Sequence, residues 1–138
     1  MLMKISDLQK QVETRIAKIS FPAHAIVLHT SPVDDGTPYI SFENGKYNYI
    51  ISERGYEFSR QVTASSDELL YWIIYDFVHV IAVDYERAHR IPGRDSRRLY
   101  FPKIVELMGK INQSWGVKAQ SHHDEIRVNS PFDDSLYP

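Results

Sequence analysis

Between Tyr39 and Val62 the chain reads as strand, turn, strand, turn, strand, and no other segment limits the fold so tightly. Tyr39, Ile40 and Phe42 lead into Glu43-Asn44-Gly45-Lys46. Asn and Gly both tolerate a positive φ, so this run predicts a tight hairpin. Tyr47, Tyr49, Ile50 and Ile51 supply the return strand, being β-branched or aromatic. Ser52-Glu53-Arg54-Gly55 forms a second turn, with Gly55 taking a positive φ. Tyr56, Phe58, Arg60 and Val62 then make a third strand. The expected product is an antiparallel meander. The short apolar run Ala25 to His29 can add a fourth strand before the loop Ser31 to Pro38.

Helical patterns flank this block on both sides. Ile5, Leu8, Val12, Ile16 and Ile19 recur every three or four residues, the stripe of an amphipathic helix. Phe21-Pro22 stops it, because a residue before proline is pushed out of the helical region. Ser65 and Glu68 match a capping box, and Asp67 suits the positive end of a helix dipole. A long central helix from about Ser66 to His89 is predicted, ended by Pro92-Gly93. Asp95 can cap a following helix that runs to Ile111, and Pro102 inside it removes a backbone donor and predicts a kink. Asn112 to Gly116 reads as a break and Val117 to Val128 as a last helix. Strands and helices are segregated along the chain, so the fold class is α+β. The expected architecture is an N-terminal helix, a three- to four-stranded antiparallel meander, then the central helix and two more, packed on one sheet face. Residues 1–130 read as a single domain and 131–138 as a C-terminal tail.

Placing the central helix at 100° per residue with Phe77 at the centre of its buried side gathers Leu70, Ile73, Ile74, Val80, Ile81 and Ala88 around it. Asp84 falls within about 20° of Phe77 on this wheel. A buried carboxylate needs a partner, and Arg97 or Arg98 in the next helix is nearest in sequence. Asp84 is therefore expected to be a buried charge that fixes how two helices meet, and its loss should destabilise the fold. A catalytic acid is the other reading. The far side of the wheel carries Tyr75, His79 and Glu86, with Asp76 flanking. Side chains of these kinds are what protein interfaces favour, although packing against another helix would also hide such a face.

The 138 residues carry 16 basic and 18 acidic side chains, a net charge of −2, and no cysteine. Nucleic-acid binding rests on a dense basic surface, and this balance does not provide one. Disulfides, thiolate metal sites and a cysteine nucleophile are excluded. The N-terminal residues lack the basic and apolar runs of a signal peptide. The most apolar stretch, Leu69 to Val83, is interrupted by Asp76 and His79 and falls short of the ~20 residues a membrane span needs. No membrane association is expected.

The motifs that could carry chemistry are few. Asp76-x-x-His79 and Glu86-x-x-His89 each set a carboxylate and an imidazole on adjacent turns, a spacing used in dimetal bundles when it comes from two helices. Here both lie on one helix, about 15 Å apart, and cannot share an ion. His122-His123-Asp124 projects in three directions and is expected to be solvated. Glu53-Arg54, at a hairpin tip, reads as a pair that fixes the fold, a catalytic pair being the alternative. Three functions stay open: a binding protein, an enzyme that uses Asp76, His79 and Glu86, and a self-assembling module with Tyr47, Tyr49, Tyr56 and Phe58 at a dimer face. For the binding reading the contact residues are Asp34, Asp35, Tyr75, Asp76, His79 and Glu86. Glu53, Arg54, Asp84, Arg97 and Arg98 form the structural charge network. No catalytic residue, metal or cofactor is assigned.

An ordered series of short motifs adds to this. Tyr49-Ile50-Ile51-Ser52-Glu53-Arg54-Gly55-Tyr56-Glu57 is followed by Asp67-Glu68-Leu69-Leu70-Tyr71-Trp72, then Asp84-Tyr85-Glu86 and His89-Arg90-Ile91-Pro92-Gly93. Arg97-Arg98-Leu99, Glu106 to Asn112, Trp115 and Pro131-Phe132-Asp133-Asp134 complete it. Over roughly residues 45–134 the chain resembles the Immunity protein 63 family. Pro102 departs from the pattern. The resemblance implies a cytoplasmic bacterial protein of a polymorphic toxin system, which neutralises a cognate toxin domain by binding it and needs no cofactor. An acidic loop at Asp34-Asp35 could speed such an encounter.

Overall fold

The computed structural model describes residues 2–21 and 26–137. The order of elements is α1 (Ile5–Ile16), β1 (Tyr39–Glu43), β2 (Lys46–Glu53), β3 (Tyr56–Thr63), α2 (Ser66–Ala88), α3 (Arg97–Ile111) and α4 (Gln113–Asn129). This is the α+β arrangement expected from the segregated patterns. The chain divides into two compact units, Met1–Ile73 and Ile74–Pro138, and the division falls inside α2.

In the first unit, α1 buries Leu8, Val12 and Ile16 completely. A 3-10 turn, Ala17–Ile19, extends it, and Ser20 in the left-handed region (φ 58°) ends it. The stop therefore precedes Phe21-Pro22, of which Pro22 lies outside the described residues. Of the Ala25 to His29 run, Ala25 also lies outside them, and His29 makes a single parallel bridge to Tyr39. Gln9 fixes the segment between, donating to the Ile26 carbonyl (2.8 Å) and accepting from the Leu28 N–H (3.1 Å).

The sheet has the order β1-β2-β3. Glu43 pairs with Lys46 and Glu53 with Tyr56, which leaves two-residue loops at both hairpins. Asn44-Gly45 (φ 54° and 72°) and Arg54-Gly55 (φ 52° and 78°) take positive φ at both positions. That backbone matches the right-handed twist of the strands it joins. Tyr47, Asn48, Tyr49 and Ile50 are consecutive and all buried. The central strand is thus covered on both faces, and the usual alternation is lost. Tyr49 stacks on Trp72 at the start of α2 (6.4 Å between centroids).

The capping box before α2 is only half formed. The Glu68 N–H donates to Ser65 Oγ (3.1 Å), while the Ser65 N–H turns to Thr63 Oγ1 (3.0 Å). Along α2 the buried ridge is Leu70, Ile74, Val78, Ala82 and Glu86, one residue in four. Phe77 is only half-buried and Val80 is 57% exposed. The true centre of the buried face lies near Val78, about 100° from the position assumed from sequence.

In the second unit α3 runs through Pro102 without ending. Asn112 alone separates it from α4, and its side chain accepts from the Ser114 and Trp115 N–H groups. The predicted break of five residues shrinks to one because this cap restarts the helix at once. The two helices approach at Gly109 and Gly116, where a Cβ on Gly116 would lie 2.8 Å from Gly109 Cα.

Candidate functional site

Two regions hold the side chains singled out from sequence, one in each unit. In the second unit the centre is Asp95, buried at 2% exposure. It forms a double contact with Arg97, Nη2 to Oδ2 at 2.8 Å and Nε to Oδ1 at 3.2 Å. It also accepts from the Arg97 and Asp133 N–H groups, each at 3.0 Å. The Arg97 hydrogen bonds hold its carboxyl far below the usual carboxylate range, outweighing the opposite push of burial. Arg97 continues to the carbonyls of Ser130 (2.8 Å) and Pro131 (2.9 Å).

Asp134 completes the network. It accepts from Arg98 Nε (2.8 Å) and the Asp95 N–H (2.7 Å) and pairs with Arg94 (3.4 Å). The Arg98 hydrogen bond lowers its pKa. Between these acids sits Phe132, whose ring receives the guanidinium groups of Arg127 (4.3 Å), Arg98 (4.9 Å) and Arg97 (5.4 Å). A cavity of about 250 Å3 opens beside Glu86, Arg94 and Arg98. It is smaller than the ~300–1,000 Å3 of small-molecule sites, and each of those three charges has a partner.

Asp84 departs from its expected place. It is 67% exposed and pairs loosely with Arg87 at 3.7 Å, not with Arg97 or Arg98, whose partners are Asp95 and Asp134. The buried acid of α2 is Glu86, 3% exposed and held by Arg90 at 2.8 Å. Arg90 lowers its pKa. Shifting the buried centre from Phe77 to Val78 explains both changes. Glu86 comes within about 80° of that centre, and Asp84 moves about 120° away on the other side.

His123 departs as well. Expected to be solvated with His122 and Asp124, it is buried at 1% exposure and stacks flat on Phe101 (4.1 Å, 11°). Its Nε2 lies 2.9 Å from the Tyr75 hydroxyl, and its Nδ1 is buried with no hydrogen-bond partner among the described residues. Burial pushes its pKa down to about 4, with help from His122 and His79. Tyr75 is therefore engaged inward. His79 is half-buried against Tyr100 (5.5 Å), and Asp76 stands exposed. Among the described residues, no three potential ligands are placed to hold a metal ion.

The first unit places Asp34 and Asp35 against the tip of the β2–β3 hairpin. Asp34 has a positive φ of 62°. Its carbonyl accepts from the Arg54 N–H (3.1 Å), and its carboxylate accepts from Ser52 Oγ (3.2 Å) and the Gly55 N–H (3.3 Å). The Gly36 N–H donates to the Ser52 carbonyl (2.9 Å). Asp35 bridges to Glu53 through the backbone and accepts from the Thr37 N–H (2.9 Å); hydrogen bonding from the Thr37 side chain, and then from this N–H, lowers its pKa. Arg54 thus holds the fold by its backbone. Asp134, Phe132 and His123 were not assigned to any site in the sequence reading, and Asp95 was read only as a helix cap. The adjacent pair Asp95-x-Arg97 is the signal that could have flagged Asp95, since side chains two apart across a helix start can meet.

These features define a class: a small α+β protein whose conspicuous charges hold its own architecture. The family model for Immunity protein 63 matches residues 43–125, more than half of the chain. The chain belongs to the Immunity protein 63 family. The match takes in β2, β3, α2, α3 and most of α4. No curated protein and no solved structure matches the chain. Among the described residues, no helix is long and apolar enough to cross a membrane.

Proposed function

We propose that this immunity protein works in the cytoplasm of a bacterium as a stoichiometric inhibitor. It binds a cognate toxin domain directly and carries out no reaction of its own. The observation that carries the reading is the family match over residues 43–125. The side chains support it. The enzyme alternative relies on Asp76, His79 and Glu86, but Glu86 is buried in an ion pair with Arg90. A general acid or base must be free to exchange a proton with its substrate, and both oxygens of this carboxylate are committed to Arg90. Of the contact residues read from sequence, Asp35 and Asp76 remain exposed and His79 partly so. Asp34, Tyr75 and Glu86 are engaged within the fold.

The test is co-expression with the toxin domain encoded beside its gene. Growth should be restored, and the two chains should co-elute from gel filtration in equal amounts. Continued killing, with two separate peaks, would overturn the proposal.

A further inference from the structure

The β2–β3 hairpin presents aromatic surface that the first unit does not use. Tyr56 is 66% exposed and Phe58 60%, and their rings meet edge to face at 5.0 Å. Val62 on the same strand is 47% exposed, and Val33, next to Asp34, is 42%. Single exposed apolar side chains are ordinary, but two exposed aromatics in contact make a contiguous apolar patch of the kind that marks interaction sites. β3 is an edge strand exposed along most of its length, and Phe58 sits where its register shifts. Ile51 pairs with Ser59 and Ser52 with Glu57, so Phe58 is the extra residue of a β-bulge.

This tip is also held rigidly. Four hydrogen bonds from the Asp34–Gly36 segment tie it down at Ser52, Arg54 and Gly55. A platform fixed before contact loses little entropy on binding. Its charge is one-sided. Asp34, Asp35, Glu53 and Glu57 stand against Arg54 and Arg60, and Arg60 is already paired with Glu57 and Glu43. The exposed Asp35 and Glu53 therefore form an acidic border beside the aromatic pair.

From these observations we infer that the β2–β3 hairpin tip, with Tyr56 and Phe58 at its centre and Asp35 and Glu53 at its rim, is the docking surface for a basic face of the toxin domain. The inference rests on the inhibitor reading above and names its contact surface. Aromatic anchors enclosed by a polar rim are where binding energy concentrates. The acidic rim would speed encounter with a basic partner.

Titration of the toxin domain by calorimetry provides the test, with wild type and four variants. The double variant Tyr56→Ser/Phe58→Ser should weaken binding by about 30-fold or more. Glu53→Lys, which keeps both rings, should weaken binding about 10-fold at low salt, the loss fading as salt rises. Val128→Ser, an exposed apolar residue of the other unit, should change nothing. Asp76→Lys tests the exposed side of α2. Unchanged thermal melting shows that each variant is folded. Wild-type binding that survives the hairpin variants, or that is lost only in Asp76→Lys, overturns the surface and leaves the inhibitor reading standing. Absence of any wild-type complex overturns both. A free wild-type chain that is dimeric, and becomes monomeric in the double variant, overturns the surface in favour of a second copy as its occupant.

Discussion

The hairpin tip of the first unit and the Asp95 network of the second handle their side chains in opposite ways. At the tip, Tyr56 and Phe58 stand mostly in water while acidic residues secure the backbone beneath them. In the network, Asp95, Glu86 and His123 are among the most enclosed residues of the chain. Residue type alone would have assigned these roles the other way round. What decides is whether a partner is present within the fold. Asp95 has Arg97 and two N–H donors, so its burial is tolerated. Tyr56 and Phe58 lie on the edge strand β3, which stays exposed along most of its length.

The strongest way to break this comparison is to remove Asp95. Asp95→Ala leaves the Arg97 guanidinium, 15% exposed, without its carboxylate. It also leaves the Asp133 N–H without its acceptor. Removing one partner of a buried pair costs about 3–5 kcal/mol. Urea unfolding should show the midpoint falling with little change in slope. A midpoint within error of wild type would mean that the network is ornamental, and the contrast between the two units would collapse.

Acid should attack the second unit through His123. An unfolded His123 titrates near 6.5, whereas the folded ring, lowered by burial, titrates at about 4. Below about pH 6.5 the unfolded chain takes up a proton that the folded chain refuses, so stability falls with pH until the folded value is reached. The contribution is complete above the unfolded pKa and amounts to at most about 3 kcal/mol. His122 and His79 add to the lowering, and Asp124 opposes it. His123→Phe keeps a ring stacked on Phe101 and removes the titration. Its unfolding free energy should drop less than that of wild type between about pH 7 and pH 5. Parallel curves for the two proteins would mean that His123 is not the group responsible.

The same contrast shows what could be read from sequence. Both hairpins were legible because turn chemistry is local: Asn44-Gly45 and Arg54-Gly55 fix their own backbone. The extent of α2 was legible for the same reason, from Ser65 at one end and Pro92-Gly93 at the other. Its rotation was not. The helix carries apolar side chains nearly all round, so its periodicity leaves the buried face underdetermined. Val80 could be exposed and Glu86 buried without violating the pattern. His123 was misread because its enclosure depends on Tyr75 and Phe101, 48 and 22 positions away. The link from Asp95 to Asp133 is equally non-local, at a separation of 38.

A smaller effect should separate two glycines that look equivalent in sequence. A Cβ on Gly116 would meet Gly109 Cα at 2.8 Å and Gly109 N at 3.2 Å. Both atoms are backbone and cannot move aside without parting α3 from α4. Gly116→Ala should cost about 1–3 kcal/mol, the usual range for overpacking. A Cβ on Gly109 lies 4.0 Å from Gly116 Cα, an ordinary contact. Gly109→Ala should be neutral or stabilising by up to about 1 kcal/mol, through helix propensity. Equal thermal shifts for the two variants would show that the crossing is looser than described.

The smallest effect is the most telling, because it concerns the residue on which the sequence reading placed most weight. Had Asp84 been the buried acid, Asp84→Ala would have removed one partner of an enclosed pair. It is instead 67% exposed, and its contact with Arg87 is long and equally open. Exposed pairs of that kind contribute little, because water and salt screen them. Asp84→Ala should therefore change stability by no more than about 0.5 kcal/mol. Glu86→Ala, made in parallel, should destabilise clearly more, since it leaves a buried hole and strips Arg90 of its partner. The order of the two results tests the rotation of α2 directly. A larger loss at Asp84 than at Glu86 would return the buried face to Phe77 and require the second unit to be rebuilt around it.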